Sequence, residues 1–255
     1  MNDQKRQTPL FPPLVTALLI ALPLTIIAIS YFIYVKAPAT FNSICKEDGI
    51  VENLQFAAFL TATIIGIWLC IRLWRNKDIW TAIPYTLFAL LCFFIAMEEI
   101  SWGQRILGFE TPESMKTIST QDEINLHNIA EIQNHIFFFY AAVGAAACLS
   151  AFLTLIPYLR RIRLFHYYTM HPLLLPYLIP ALAYGMYRIK LGGWHEMRKH
   201  MSHDSAKLIS IIQEPVELGM ALGFAVIMLV ALRLSFVAKL QANPTPSSQQ
   251  PSQQS

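Results

Sequence analysis

The chain has 255 residues, of which 55% are hydrophobic and only 14% are charged. A soluble domain normally carries about a quarter charged residues, so this composition excludes an ordinary soluble protein and predicts an integral membrane protein. The net charge of +3 is small and the basic residues are scattered, which excludes a nucleic-acid partner. Membrane lipids are the expected partners, together with another membrane protein or a second copy of the chain.

Six stretches of the chain are candidates for membrane-spanning helices, each of which needs roughly 20 mainly apolar residues. We therefore expect an all-α fold, a polytopic transmembrane bundle that forms one domain over residues 1–240. The remaining segment, 241–255, is rich in Pro, Ser and Gln and is expected to be disordered. The expected spans are Phe11–Val35, Ile50–Trp74, Ile79–Met97, Ile129–Leu159, Pro172–Tyr187, which is the shortest, and Pro215–Val237.

Basic residues set the expected orientation, because they favour cytoplasmic loops. With the N-terminus in the cytoplasm, each of the first two outside connections carries fewer basic residues than the inside loop that follows it. The last outside connection breaks this rule. Its basic residues, Arg188 and Lys190 among them, are expected at anionic lipid headgroups. This orientation places both termini in the cytoplasm.

The connection between the third and fourth spans carries helix signals of its own. Thr111 followed by Pro112 predicts a short interfacial helix that reaches about residue 118. Thr120 and Glu123 have the spacing of a capping box. This spacing predicts a second helix that runs through His127 into the fourth span.

Carboxylates and imidazoles gather at one end of the expected bundle. They open the second, fourth and sixth spans and close the third, and inverting the topology moves all of them together. Ionisable groups inside a membrane cost a few kcal/mol unless they are paired, hydrated or bound to a cation. They therefore lie either at the hydrated headgroup level or in a buried site. The residues are Asp48, Glu52, Glu98, Glu99, His127, Glu131, His135, Glu214 and Glu217.

The sixth span combines acidic residues with small ones. Pro215 indicates that Glu214 and Glu217 lie near the first turn of this helix. Gly219 and Gly223 form a G-x-x-x-G pattern, which is typical of close helix packing, and they lie on a different face. The glutamates are therefore expected to face a polar interior while the glycines meet a neighbouring helix.

The arrangement favours a divalent metal ion. His127, Glu131 and His135 recur every four residues and would share one helix face. Carboxylates and imidazoles on facing helices are the layout by which bundles hold such ions, and these ligands suit zinc, iron or manganese. The E-x-x-H spacing of di-iron bundles is absent, because three residues separate Glu131 from His135.

The first functional hypothesis is a metal-dependent hydrolase of a lipid or lipid-linked substrate. The metal would lower the pKa of a bound water, and Glu99 would act as the general base. Ser101 is the second catalytic candidate, as a nucleophile or a water-positioning group, although a helix-end hydroxyl also explains it. The expected metal ligands are Glu52, Glu98, His127 and Glu217, with Glu131 and Glu214 in reserve.

Two other classes of function remain open. A proton- or cation-coupled transporter would use the same carboxylates, but it predicts acidic residues that extend to the other face, and the inner halves of these spans lack them. A structural or assembly subunit would pair its polar residues within the bundle. Whatever the function, Trp102 is expected to anchor the chain at the membrane–water interface. Gln104 and Arg105 are expected to pair with Glu98 and Glu99.

Five short motifs lie at Glu47–Glu52, Glu98–Arg105 (EEISWGQR), Thr111–Glu113, Asn125–Asn128 (NLHN) and Glu214–Glu217. They resemble the motifs of a family of uncharacterised bacterial multi-spanning membrane proteins. The resemblance implies the membrane class and a bacterial cytoplasmic (inner) membrane, and it names no reaction. The layout is also similar to the alkaline ceramidase and adiponectin-receptor-like hydrolases, which hold a zinc among helices, but their Ser-x-x-x-His and His-x-x-x-His patterns are missing.

Overall fold

The computed structural model describes residues 10–46, 49–117, 123–126, 129–133, 135–156, 158–159, 171–192 and 202–242. These residues form an all-α bundle without a β-strand among them. Single turns of 3-10 helix lie at Ser101–Gly103 and Pro172–Leu174. The α-helices are α1 Pro13–Lys36, α2 Pro38–Ile44, α3 Ile50–Arg75, α4 Ile79–Glu99, α5 Gln104–Leu107, α6 Glu113–Lys116, α7 Ala130–Gln133, α8 Ile136–Leu153, α9 Leu175–Leu191 and α10 His203–Ala242.

Within the described residues, five helical segments are long and apolar enough to cross a membrane. They correspond to α1, α3, α4, α7 with α8, and the central part of α10, as expected of a multi-pass membrane protein. The expected fifth span is α9, whose 17 residues rise about 25 Å, less than the roughly 30 Å of a hydrocarbon core. The all-α prediction is confirmed.

Helix α3 occupies the centre of the bundle, because it packs along α4 on one side and α10 on the other. Its Phe59 is buried against Phe224 of α10, with ring centroids 5.8 Å apart. Gly66 allows α3 and α4 to approach closely, since an added Cβ would lie 2.8 Å from the Cβ of Ala89. Helix α1 lies at the rim, where Pro23 is its only buried residue, so its apolar side chains remain available to lipid.

Helix α10 begins much earlier than the sequence pattern indicates. It starts at His203, so Pro215 lies inside the helix and the expectation of a first-turn position is wrong. The G-x-x-x-G face does meet a neighbouring helix. A Cβ on Gly223 would lie 3.0 Å from the Cβ of Tyr177 in α9, and a Cβ on Gly219 would lie 3.5 Å from the carbonyl oxygen of the same tyrosine.

The chain before α8 also differs from expectation. The predicted short helix exists as α6, but its N-cap is Pro112, so the prediction that Thr111 caps it is wrong. The predicted continuous helix through Glu123 into the fourth span is wrong for residues 123–126, which are not helical. His135 is the N-cap of α8, so it shares no continuous helix face with Glu131 of α7. Asp48, Thr120, His127 and 243–255 of the predicted tail lie outside the described residues.

Candidate functional site

Carboxylates from three helices converge at one end of the bundle, as the sequence predicts. Around Glu99 of α4, the carboxylates of Glu217, Glu214, Glu52 and Glu98 all lie close enough to repel its charge. Glu52 lies in the first turn of α3, whereas the α10 glutamates lie about three turns inside their helix. Such a concentration of negative charge requires protons, a bound cation or a positive side chain to offset it.

Gln55 connects α3 to this cluster. It is fully buried, and its Nε2 donates to both the carbonyl oxygen of Glu214, at 3.0 Å, and its Oε2, at 3.1 Å. The thiol of Cys45, at the end of α2, lies near enough to the same glutamate to be affected by its charge. Burial, and secondarily the Glu214 charge, raises the pKa of Cys45 to about 11, so this thiol is protonated at neutral pH.

A chain of hydrogen bonds leads away from Glu217. The Tyr140 hydroxyl donates to its Oε1, and Gln213 Nε2 donates to the same oxygen at 2.8 Å and to the Tyr140 hydroxyl at 3.3 Å. Tyr184 donates to Gln213 Oε1 at 3.1 Å and accepts from Arg188 at 2.9 Å. Five side chains from α8, α9 and α10 therefore link a groove carboxylate to a buried guanidinium.

Arg188 does not lie at the lipid headgroups as expected. It is only 3% exposed, and its guanidinium lies 5.6 Å from the ring centroid of Phe137 and 5.8 Å from that of Tyr184. Its positive charge is therefore directed into the bundle. The sequence shows no sign of this role, because an arginine near the end of an apolar stretch normally extends toward the headgroups.

Glu98 holds the polypeptide that follows α4. The indole N–H of Trp102 donates to its Oε1 at 2.6 Å, and the backbone N–H of Leu126 donates to its Oε2 at 2.5 Å. The Trp102 ring also packs edge-on against Phe94, with centroids 5.5 Å apart. Trp102 is therefore more than an interfacial anchor, because it secures a buried carboxylate.

Three consecutive residues after α4 adopt left-handed backbone conformations, with φ of 47° at Ser101, 55° at Trp102 and 78° at Gly103. The first two are strained for residues with a Cβ and persist only where their surroundings fix them. Ser101 Oγ donates to Glu123 at 2.7 Å and accepts from Asn125 at 3.1 Å. The catalytic candidate Ser101 is thus engaged in a buried network of the turn.

Gln104 completes the attachment of the loop. Its Nε2 donates to Thr111 Oγ1 at 2.7 Å, and its Oε1 accepts from the backbone N–H of Ile124 at 2.8 Å. Both ends of the Gln104 amide thus contact the loop, and not Glu98 and Glu99 as predicted. The side chain of Arg105 lies outside the described residues. In the EEISWGQR motif, Glu98, Ser101 and Gln104 therefore all form hydrogen bonds with residues 123–126 and hold this segment beside the carboxylate cluster.

A groove of about 660 Å³ opens beside this cluster. Helices α4 and α8 contribute most of its lining residues, and α3, α7 and α10 contribute others. Glu131 and His135 lie exposed on the α8 side, where His135 Nδ1 is 2.8 Å from the Glu131 carbonyl oxygen. The lining is otherwise mainly aromatic and aliphatic: Phe59, Leu91, Phe94, Ile95, Glu98, Glu99, Leu126, Glu131, Ile132, His135, Ile136, Phe139, Tyr140, Glu217 and Met220.

The structure brings four of the predicted acidic residues, Glu52, Glu98, Glu214 and Glu217, together around Glu99, and it places Glu131 at the same groove. In the described part of the chain, no three His, Cys, Asp or Glu side chains surround one point tightly enough to hold a metal ion. The predicted ligand His127 lies outside that part, so the metal site stays a prediction. Tyr140 and Gln213 are the site residues that the sequence analysis missed.

No family model, curated protein or solved structure matches this chain. The function is therefore argued from the chemistry of the groove.

Proposed function

We propose that this chain is a membrane-embedded, divalent-metal-dependent hydrolase that acts on a lipid or lipid-linked substrate. One observation carries the proposal: an apolar groove between two membrane-spanning helices ends at a cluster of carboxylates. In the proposed topology, both termini are cytoplasmic and the groove faces the outer leaflet of a bacterial cytoplasmic membrane.

The walls of the groove favour an amphiphilic substrate. Leu91 and Phe94 of α4 and Phe139 of α8 line it and are also exposed on the bundle surface. An acyl or isoprenoid chain can therefore enter sideways from the bilayer without crossing a polar surface. The volume of about 660 Å³ falls within the roughly 300–1,000 Å³ of typical ligand pockets. The polar end of such a substrate would lie at Glu99 and Glu217.

The charge of the cluster favours a bound cation. Arg188 offsets part of the negative charge through Tyr184 and Gln213, and a divalent ion would offset two further charges. Glu52 and Glu217 would bind this ion together with His127, and Glu98, Glu131 and Glu214 are the remaining candidates. Zinc, iron or manganese would lower the pKa of a bound water so that it becomes a nucleophile near neutral pH.

The residues of the chain then have distinct roles in hydrolysis. Glu99 accepts a proton from the attacking water while the water oxygen forms a bond to the carbonyl carbon or phosphorus. The Tyr140 hydroxyl donates to Glu217 in this structure and is held in place by Gln213; in the reaction it would turn its one proton to the oxygen on which negative charge develops. The bond to the leaving alcohol breaks, and Glu99 returns the proton to that oxygen. Ser101 supports the turn.

The polar chain beyond Glu217 does not favour a transporter. Tyr184 and Arg188 lie in the last two turns of α9, at the same end of the bundle as the carboxylates. This chain therefore runs sideways within one leaflet, whereas a transport pathway would have to reach the opposite face.

The test is metal-dependent turnover of membrane lipids. The purified chain in nanodiscs that contain a bacterial lipid extract should release a hydrolysed product, measured by mass spectrometry, with manganese or zinc but not after chelation. Glu99→Gln should reduce the rate about 100-fold or more, which is the usual contribution of a general base. Glu113→Gln, which changes an exposed partner of Lys116, is the matched control. Equal product from wild type and Glu99→Gln, or no product with any metal, would overturn the proposal.

A further inference from the structure

A second groove lies at the opposite end of α3 from the carboxylate cluster. It has a volume of about 460 Å³ and runs between α3 and α4. Glu52 and Arg75 are 23 residues apart on the same helix, so the carboxylates and the Arg75 end of the second groove are about 35 Å apart along it. The two grooves approach each other in the middle of the bundle, where Phe59 lines the first and Thr63 the second, but they share no lining residue. Its lining is Thr63, Ile67, Cys70, Ile71, Trp74, Arg75, Thr86, Ala89, Leu90 and Phe93.

The interior of this groove offers little to a polar ligand. The Thr63 hydroxyl donates to the carbonyl oxygen of Phe59 at 2.9 Å, and the Thr86 hydroxyl donates to that of Ala82 at 2.8 Å. The indole N–H of Trp74 donates to Thr86 at 3.3 Å. The hydroxyl and indole groups of the lining are thus satisfied within the protein, and apart from Cys70 and Arg75 the remaining surface is aliphatic and aromatic.

The length of the groove matches one leaflet. From Thr63 to Arg75 the helix rises about 18 Å, compared with the roughly 15 Å that half of a hydrocarbon core measures. The end that bears Arg75 adjoins the tight turn between α3 and α4, where a loop reaches the membrane surface. An acyl chain that lies in the groove would therefore place its headgroup beside Arg75.

Two neighbouring arginines on α3 differ in the contacts that their guanidinium groups make. The guanidinium of Arg72 donates to the carbonyl oxygen of Ser235 at 3.2 Å and lies 3.8 Å from the ring centroid of Phe236. Arg75 is exposed, and it makes no hydrogen bond or ion pair with any residue that the structure describes. Lys77, exposed two residues later, adds a second positive charge at the same end.

We propose that the α3–α4 groove is a binding site for a phospholipid with a net negative charge. One acyl chain lies along Ile67, Ile71 and Leu90, and the Arg75 guanidinium binds the headgroup phosphate, for which its planar donors are suited. Lys77 supplies the additional attraction that distinguishes an anionic lipid from a zwitterionic one.

Native mass spectrometry of the full-length, detergent-purified chain tests this site. The probes are phosphatidylglycerol and phosphatidylcholine with identical acyl chains. Wild type should retain phosphatidylglycerol preferentially, and Arg75→Gln should weaken its binding about fivefold, the effect expected of one basic residue at an anionic surface. Lys36→Gln, at the exposed C-terminal end of α1, is the matched control and should change nothing.

A second variant separates a built site from general electrostatic attraction. Ile71→Trp fills the groove and leaves Arg75 in place, so it should lower the bound phosphatidylglycerol as strongly as Arg75→Gln does. The proposal is overturned if Ile71→Trp has no effect, if Lys36→Gln weakens binding as much as Arg75→Gln, or if wild type retains both lipids equally.

Discussion

At the scale of single residues, the buried carboxylate of Glu98 links the end of α4 to the loop that covers the site. It accepts from Trp102 on one oxygen and from Leu126 on the other. Hydrogen bonds to a charged group contribute about 1.5–3 kcal/mol each, more than neutral ones. The strained left-handed turn at Ser101 and Trp102 is maintained because these contacts offset its cost.

Trp102→Phe should therefore destabilise the protein by about 1–3 kcal/mol, because Glu98 loses a donor while the aromatic packing on Phe94 is largely kept. The free energy of unfolding in detergent, followed by circular dichroism, measures the effect. Trp68→Phe, at an exposed aromatic position on α3, is the control and should cost much less. Equal losses in the two variants would show that the indole N–H contributes nothing to stability.

His171, which lies outside the expected membrane spans, makes the stability of the folded state depend on pH. Its Nδ1 accepts from the backbone N–H of Leu173 at 3.2 Å, and burial lowers the pKa of His171 below its usual 6.5. The folded state therefore favours the neutral imidazole, so its contribution to stability is present above about pH 6.5 and is lost as the pH falls through the lowered pKa.

His171→Asn keeps a side-chain acceptor at the N-cap but cannot titrate. Between pH 7.5 and 5.5, we expect the stability of wild type to fall more than that of this variant, because only wild type must protonate the imidazole on unfolding. Thermal unfolding at each pH measures the difference. Parallel curves for the two proteins would contradict the assignment.

The sequence predicts some of these residue roles and not others. Glu52, Glu99 and Glu217 stand out because charges at the ends of apolar runs are costly and therefore conspicuous. Tyr140 does not stand out, since a tyrosine in an apolar run is usual for any buried or interfacial helix. Its position beside Glu217 depends on how α8 packs against α10, which no local pattern encodes.

At the scale of elements, two glycines fix the contact between α8 and α9. A Cβ on Gly144 would lie 2.6 Å from the backbone nitrogen of Leu182, and one on Gly185 would lie 2.5 Å from that of Ala141. The opposing atoms are backbone, so they cannot move aside as a flexible side chain would. Since Tyr140 lies one turn before Gly144, this contact also positions the hydroxyl in the groove.

Gly144→Ala should destabilise the bundle by about 1–3 kcal/mol, the usual cost of overpacking. It should also displace Tyr140 and lower any groove activity. Gly219→Ala is the matched control, because its Cβ would make an ordinary contact at 3.5 Å. Unfolding in detergent compares the two. Closely similar stabilities would show that α8 and α9 have room to separate at no cost.

The helix boundaries show where hydropathy succeeds and fails. The first three spans are predicted to within two residues, because their apolar runs end at charged residues or turns. The start of α10 is missed, since residues 203–213 are polar enough to resemble a loop, yet Ile209 is buried and its carbonyl oxygen accepts from Tyr184. The role of Glu123 is also predicted wrongly, because its carboxylate accepts hydrogen bonds from Ser101 and Asn125 and does not cap a helix.

At the scale of the whole molecule, the carboxylate cluster and the Arg75 groove lie at opposite ends of the bundle. The distribution of basic residues predicts that the carboxylate end faces the outside of the cell. Ser114→Cys, on exposed α6, should therefore react in intact cells with a maleimide that cannot cross the cytoplasmic membrane. Asn76→Cys, at the exposed turn between α3 and α4, should react only after lysis. The reverse pattern would invert the topology and move the proposed active site to the inner leaflet.

The central claim is that the carboxylates bind a divalent metal, and elemental mass spectrometry of the detergent-purified protein tests it most directly. We expect nearly one zinc, iron or manganese per wild-type chain, a large loss in a folded Glu217→Gln variant, and no loss in Glu113→Gln. A wild-type chain that holds no metal after reconstitution, or a Glu217→Gln chain that holds as much as wild type, would contradict the account.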